Sequence, residues 1–136
     1  MKSAKDYLEA ANASVPKMDV KQAIAKHAAG EGAFIDVRDS GDIAKSGTVK
    51  GAHRISRGMI EFRADPAMTD FHNPVLQKDA ELYLICGAGG QAALSGKTLQ
   101  NMGYTNVTNK TGGDNRTARN KTKGNDTLHV KSYGRI

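Results

Sequence analysis

Residues 81–103 read Glu81-Leu-Tyr-Leu-Ile-Cys86-Gly-Ala-Gly-Gly-Gln91-Ala-Ala-Leu-Ser-Gly-Lys-Thr-Leu-Gln-Asn-Met-Gly103, and this stretch decides the fold of the chain. Its apolar run, residues 82–85, is typical of a buried strand in a parallel sheet. Four small residues follow, and apolar side chains then recur at helical spacing, which predicts a helix over about residues 91–102. Cys86, the only cysteine, therefore lies at the turn between a strand and a helix.

This turn predicts a chemical role for Cys86. The N-terminus of the predicted helix points at the sulfur, where unsatisfied N–H groups and the positive end of the helix dipole stabilise an anion. Glycines at positions 87, 89 and 90 let successive N–H groups face one point. We therefore predict a stabilised thiolate and a nucleophilic sulfur. The alternative is an inert strand cysteine, which has no need of a glycine-rich turn.

Two nucleotide-binding motifs partly overlap this stretch, and neither is complete. Residues 87–92 fit a relaxed dinucleotide-binding pattern, but residues 106–110 lack the acidic residue that the pattern requires. A phosphate-binding loop would need glycine at position 91, and Lys97 lies inside the predicted helix. The four histidines show no paired ligand spacing, so we predict neither a metal site nor a cofactor.

Length and composition favour one globular domain. A chain of 136 residues can bury about two thirds of its unfolded surface in a single core. One cysteine excludes an internal disulfide, which suits a reducing compartment. The N-terminal residues lack the apolar run of a signal peptide, and no later segment approaches a membrane span. We therefore expect a soluble, cytoplasmic protein with no membrane partner.

Most of the formal net charge of +6 lies near the C-terminus. Residues 114–136 contain six Lys or Arg and two Asp, giving +4, which leaves +2 for the other 113 residues. This basic tail has one aromatic residue, Tyr133, and no groove-reading motif, so a nucleic-acid partner is not expected. We divide the chain into an N-terminal helical segment (1–17), a domain (18–113) and a divergent tail (114–136).

The rest of the domain alternates between strands and helices. Residues 33–38 form a predicted buried strand whose end carries Asp36 and Arg38, and a carboxylate there must be paired because an unpaired buried charge is costly. Residues 57–63 fit a short helix whose Met59, Ile60 and Phe62 would pack inward. This alternation predicts an α/β domain with a parallel sheet and a site outside the carboxyl ends of the strands, where the lone cysteine lies.

Several blocks of residues 18–113, by their order and spacing, resemble the rhodanese-like sulfurtransferases. The blocks are Phe34-Ile-Asp-Val-Arg38, Gly47-Thr-Val-Lys-Gly-Ala52, Arg57-Gly-Met-Ile-Glu-Phe-Arg63, Cys86-Gly-Ala-Gly-Gly-Gln-Ala-Ala-Leu94, and Leu99-Gln-Asn-Met-Gly-Tyr-Thr-Asn-Val107 with Gly112-Gly113. The resemblance implies a rhodanese-like α/β fold, with a five-stranded parallel sheet flanked by helices on both faces. That fold agrees with the alternation described above.

The resemblance also implies persulfide chemistry. In this family a loop cysteine attacks the outer sulfur of thiosulfate or another sulfane donor, holds it as a persulfide and passes it to cyanide or a thiol. By position, Cys86 is the nucleophile, and Asp36 and Arg38 match the supporting Asp-Val-Arg of the family. The loop residues whose backbone N–H groups would cradle the persulfide and the departing sulfite are Gly87, Ala88, Gly89, Gly90 and Gln91.

Two features depart from the family pattern, and the first lowers the expected activity with thiosulfate. Many active members carry Arg or Lys at the sixth loop position, where this chain has Gln91, so a fixed cation for the dianionic donor is missing. Arg57 or Arg63 would supply that charge, since their block lies near the site in relatives. The polar tail lacks the aromatic-containing helix that covers the sheet in relatives, and a poorly covered apolar face would favour a homodimer.

Three functions therefore compete. The first is sulfur transfer through a Cys86 persulfide. The second is a phosphatase or arsenate reductase, which uses a related loop but requires an arginine after five intervening residues, where this chain has Ala92. The third is a catalytically weak or inactive binding or regulatory module, which Gln91 and the divergent tail support.

Overall fold

The computed structural model of the chain describes residues 1–110. Its five strands are β1 (Lys17–Met18), β2 (Ala33–Asp36), β3 (His53–Arg54), β4 (Leu82–Ile85) and β5 (Val107–Lys110). They form one parallel sheet in the order β1-β5-β4-β2-β3, which confirms the predicted five-stranded parallel sheet. The predicted tail (114–136) and the Gly112-Gly113 turn lie outside the described residues.

Five α-helices lie within residues 1–110, of which the first precedes β1 and the other four connect successive strands. They are α1 (Ala4–Ser14), α2 (Val20–Ala28), α3 (Ser40–Ser46), α4 (Ile60–Ala64), which follows a 3₁₀ turn at Arg57–Met59, and α5 (Gly90–Asn101). Capping boxes begin α1 and α2, in which Ser3 and Asp19 each accept from the backbone N–H three residues later. None of these helices, within residues 1–110, has the length and apolar character that crossing a bilayer requires.

The core lies on both faces of the sheet because successive side chains of a strand point to opposite faces. On one face, Leu82 and Leu84 of β4 pack with Leu99 of α5 and with α4. On the other face, Tyr83 and Ile85 pack with α2. All four residues of β4 are buried, which is why the strand reads as an uninterrupted apolar run.

The prediction that Phe62 packs inward is wrong. Ile60 and Ala64 of α4 are fully buried, whereas Phe62 is 44% exposed. A residue two positions from each of them faces the opposite side of a helix, because a helical turn takes about 3.6 residues. Phe62 instead contacts Phe71 at the surface, with their ring centroids 6.0 Å apart.

Helix α1 packs against α5, the helix that follows the cysteine. The Ser14 hydroxyl donates to the Gln100 side chain at 2.9 Å, and that side chain donates back to the Ser14 carbonyl at 2.9 Å. A Cβ atom at Gly96 would lie 2.9 Å from Cγ1 of Val15, so the two segments meet without room for a side chain at position 96. The predicted N-terminal segment therefore contacts the domain directly.

Candidate active site

Cys86 lies one residue beyond β4, at the carboxyl edge of the sheet. Ile85, the last residue of β4, is in register with Asp36 of β2. The Val37 N–H donates to the Ile85 carbonyl at 3.0 Å, so the segment after β2 runs beside the cysteine. The parallel topology thus brings Asp36 and Cys86, which are 50 residues apart in the sequence, to the same edge of the sheet.

The sulfur of Cys86 accepts hydrogen bonds from two backbone N–H groups. The Gly89 nitrogen lies 3.0 Å from Sγ, and the Ala92 nitrogen lies 3.4 Å from it. Gly89 precedes α5 with φ of +95°, a left-handed conformation that glycine adopts without strain. The sulfur therefore lies at the N-terminal end of a 12-residue helix, where unsatisfied N–H groups and the positive end of the helix dipole face it. The nucleophilic role of Cys86 stays a prediction.

A buried side chain from β5 holds this loop in place. Asn109, which is 1% exposed, donates from Nδ2 to the Gly89 carbonyl at 3.1 Å. This role of Asn109 is not among the roles predicted from the sequence. An amide in a buried strand was the available signal, because a buried polar group needs a hydrogen-bond partner.

Asp36 and Arg38 form a buried ion pair beside the loop. The Asp36 carboxylate is fully buried and accepts from Arg38 Nε at 3.0 Å and from Arg38 Nη2 at 2.8 Å. The Thr48 hydroxyl also donates to this carboxylate. The two parallel N–H bonds fix the plane of the guanidinium, as bidentate pairs do. The predicted pairing of this carboxylate is present.

Arg38 also joins the end of β2 to the end of α3. Its Nη1 donates to the Ser46 hydroxyl at 2.7 Å, and its Nη2 donates to the Gly47 carbonyl at 2.7 Å. Burial alone would lower the pKa of Arg38, but the hydrogen bonds and charge of Asp36 outweigh it and raise the pKa above its ordinary value. The charges of Asp42 and Cys86 act in the same direction. The guanidinium is therefore a permanent cation that interacts electrostatically with Cys86.

A cleft of about 510 Å³ opens beside the cysteine, and we call it the sulfur cleft. It contains most of the predicted site residues, together with three residues of α3 that sequence reasoning missed. The predicted residues are Arg38, Cys86, Gly87, Ala88, Gly90 and Gln91, and the additional ones are Asp42, Lys45 and Ser46. Lys45 places a second cation in a cleft whose loop has none. The spacing of polar residues in a short helix gives no signal for this role.

The described residues that line the sulfur cleft do not include Arg57 or Arg63. Arg57 forms an ion pair with Glu61, with Nη1 3.3 Å from Oε2. Arg63 lines a neighbouring cleft and donates from Nη1 to the Phe71 carbonyl at 3.1 Å. Their role as charge partners of a substrate stays a prediction. Within residues 1–110, no group of three or more His, Cys, Asp or Glu could hold a metal ion.

Comparisons with known proteins agree with this architecture. The family model of the rhodanese-like domain matches residues 19–116. A protein of unknown function from Rhodopseudomonas palustris CGA009, described as a possible tyrosine phosphatase, is 31% identical, with a TM-score of 0.81 over 89% of this chain and 92% of that one. The search of curated proteins gives no significant match.

Two further solved structures share the fold at lower identity. A polysulfide-sulfur transferase homodimer from Wolinella succinogenes is 25% identical, with a TM-score of 0.60 over 86% of this chain and 81% of that one. A human single-domain sulfurtransferase is 21% identical, with a TM-score of 0.65 over 76% of this chain and 96% of that one. With the family model matching most of its length and the same five-stranded sheet, the chain belongs to the family of rhodanese-like domains.

Proposed function

We propose that the chain is a sulfurtransferase that carries sulfane sulfur on Cys86. The observation that supports this most directly is the environment of the sulfur, which accepts two backbone N–H hydrogen bonds and opens onto a cleft that contains Arg38 and Lys45. The same N–H groups can stabilise a thiolate before the reaction and a persulfide anion after it. The likeness to a polysulfide-sulfur transferase supports this chemistry.

The proposed reaction has two half-reactions. The Cys86 thiolate attacks the outer sulfur of thiosulfate, the Sγ–S bond forms, the sulfur–sulfur bond of thiosulfate breaks, and sulfite leaves with the electron pair. Cyanide or a thiolate then attacks the outer sulfur of the persulfide, and the electron pair of the Sγ–S bond returns to Sγ. The cycle consumes no external oxidant or reductant and restores the thiolate.

Lys45 is expected to contribute the mobile charge for an anionic donor, because Arg38 is held by its own hydrogen bonds. Replacing Lys45 with Gln is expected to raise KM for thiosulfate roughly twofold to fivefold, since an exposed ion pair contributes up to about 1 kcal/mol. Steady-state kinetics measures this change. The control is Lys21→Gln on α2, which removes the same charge elsewhere. An equal KM in the two variants would contradict the role of Lys45.

A phosphatase is the second function to consider, because one similar structure is described as a possible tyrosine phosphatase. Ala92 occupies the position where that chemistry needs arginine, and its side chain is fully buried. The loop therefore offers a phosphate no guanidinium at this place. A binding or regulatory module without turnover is the remaining alternative, and it predicts that Cys86 accepts no sulfur.

The proposal extends to partners and location. The small-molecule partners are a sulfane donor and a thiol or cyanide acceptor. A homodimer is proposed because the Wolinella succinogenes neighbour is one, and light scattering of the purified chain measures its mass in solution. A cytoplasmic location is proposed from the single cysteine, and fractionation of expressing cells tests it.

Intact mass spectrometry tests the proposed function. Incubation of the reduced chain with thiosulfate is expected to add one sulfur atom, which cyanide then removes. Because Cys86 is the one cysteine of the chain, an added sulfur atom that cyanide removes is assigned to this residue. A polysulfide serves as a second donor, since Gln91 leaves the loop without its own cation. Failure of both donors to add sulfur would favour the binding module.

A further inference from the structure

Asn109 is a polar residue on an otherwise apolar face of the sheet. Leu82 and Leu84 of β4 and Val107 of β5 belong to the core cluster that contains Leu99 of α5. Asn109 is in register with Leu84, so its side chain points to the same face of the sheet. The pattern of this face favours an apolar residue at position 109. A fully buried amide there therefore calls for a specific reason.

The Asn109 amide makes one hydrogen bond and leaves one polar atom without a partner. Its Nδ2 donates to the Gly89 carbonyl at 3.1 Å. Its Oδ1 is buried and has no hydrogen-bond partner among residues 1–110. An unpaired buried acceptor destabilises the folded chain, so an apolar residue would serve stability at least as well. The bond to the Gly89 carbonyl is therefore the contact that distinguishes asparagine from an apolar residue at this position.

Gly89 links the Asn109 amide to the sulfur of Cys86. Its N–H donates to Sγ at 3.0 Å, and its carbonyl accepts both from Asn109 and from the Ala93 N–H, the latter at 2.9 Å. A glycine with φ of +95° has few steric limits on rotation, so hydrogen bonds must fix its two peptide planes. Ala93 ties the carbonyl to α5, and Asn109 ties it to β5. The two bonds together determine the direction of the Gly89 N–H.

We propose that Asn109 is a positioning residue for sulfur transfer. By holding the Gly89 carbonyl, it keeps the Gly89 N–H directed at Sγ of Cys86. Asn109 is not among the described residues that line the sulfur cleft, so it acts through Gly89 and not on a substrate. This inference rests on the proposed sulfur transfer and specifies how one hydrogen-bond donor of the loop is held.

The orientation of this N–H matters most in the discharge of the persulfide. Cyanide attacks the outer sulfur, the carbon–sulfur bond forms, the Sγ–S bond breaks, and its electron pair returns to Sγ. The products are thiocyanate and the Cys86 thiolate, and no other reactant is needed. Negative charge grows on Sγ during this step, where the Gly89 N–H donates. In the loading step charge leaves Sγ, so the same N–H gives the transition state no preferential stabilisation.

Replacing Asn109 with leucine removes the amide and keeps the number of side-chain heavy atoms. In a two-step cycle, kcat/KM for cyanide reports discharge and kcat/KM for thiosulfate reports loading. Removing a charge-stabilising donor outright costs about 100-fold to 1000-fold in rate. Because Ala93 still holds the Gly89 carbonyl, we expect kcat/KM for cyanide to fall only about tenfold. The constant for thiosulfate is expected to change less than about threefold.

Urea unfolding separates this role from a merely structural one. Asn109→Leu is expected to unfold at the same urea concentration as the unmodified chain or a higher one, because it leaves no unpaired acceptor. Asn109→Ala leaves a cavity and is expected to unfold at a lower concentration, yet to show the same difference between the two constants. Kinetic constants that follow stability in the two variants would overturn the proposal.

The matched control is Ser95→Ala on α5. It also removes a buried polar atom that has no hydrogen-bond partner among residues 1–110. Both kinetic constants of this variant are expected to stay within about twofold of the unmodified chain, because no donor to the sulfur is disturbed. Equal losses of the two constants in Asn109→Leu, or an unchanged constant for cyanide, would contradict the role of Asn109.

A measurement on the reduced chain separates this inference from the proposed function, because it needs no sulfur transfer. Exchange of the Gly89 amide proton with water, measured by NMR, is expected to be about tenfold faster in Asn109→Leu. The Ala92 N–H, which donates to the same sulfur, is the internal reference and is expected to change less than about twofold. Unchanged exchange at Gly89 would refute the role of Asn109 even if Cys86 carries sulfur. Failure of the unmodified chain to take up sulfur would instead refute the sulfurtransferase.

Discussion

Replacing Cys86 with alanine is expected to abolish sulfur transfer. The variant has no thiol, so no residue can form the persulfide, and we expect turnover of thiosulfate with cyanide to fall by at least about a thousandfold. Replacing Cys86 with serine is expected to have the same effect, because a hydroxyl in this place cannot hold sulfane sulfur. Thiocyanate formation measures both variants.

The control for these variants is a measurement of their free energy of unfolding, which shows whether each variant is still folded. Cys86 belongs to the buried core on one face of the sheet, so a change of volume there can affect packing. Serine keeps the same number of side-chain heavy atoms, and a folded serine variant without activity would assign the loss to the sulfur. Activity above about a tenth of the unmodified rate in both variants would contradict the persulfide route, because lost nucleophiles cost far more.

Replacing Asp36 with alanine is expected to lower the free energy of unfolding by about 3–5 kcal/mol, the usual cost of breaking a buried ion pair. The reason is that Arg38, with 12% of its side chain exposed, would keep a buried charge without its carboxylate. The Thr48 hydroxyl would also lose its acceptor. Urea unfolding with linear extrapolation measures the loss. Because the total free energy of unfolding of such a domain is about 5–15 kcal/mol, a partly unfolded variant is an expected result.

The control pair for Asp36 is Arg57 with Glu61, which is an ion pair at the surface. Replacing Glu61 with alanine is expected to cost less than about 1 kcal/mol, because solvent already screens both charges. Equal losses for Asp36→Ala and Glu61→Ala would show that burial does not strengthen the inner pair. Such a result would contradict the supporting role that the family resemblance implies for Asp36.

The sequence predicted the elements whose signals are local. The apolar run of β4, the glycines after Cys86 and the helical spacing of α5 all lie within residues 81–103. The pattern of apolar residues in this one stretch is therefore enough to predict the strand, the turn and the helix. The capping boxes at the starts of α1 and α2 are equally local, because each joins residues three apart. β1 has two residues, which is too short to show an alternation, so no strand is predicted there.

The site was harder to predict because its parts come from separate elements. Lys45 lines the sulfur cleft from α3, and Asn109 anchors the loop from β5, although neither is close to Cys86 in sequence. A polar residue on a seven-residue helix looks the same whether it faces solvent or a cleft. Only the order of the strands decides which of these residues meet.

The contact between Gly96 and Val15 constrains how this chain can change over generations. A side chain at position 96 would collide with residue 15, so the glycine is required only while α1 occupies its place on α5. A lineage that shortened residue 15 or lost the first helix could accept alanine at position 96, whereas the reverse order would pass through a poorly packed intermediate. Positions 15 and 96 are therefore expected to covary among homologues. Changes in α1 are expected to accompany changes in α5, the helix that follows the cysteine.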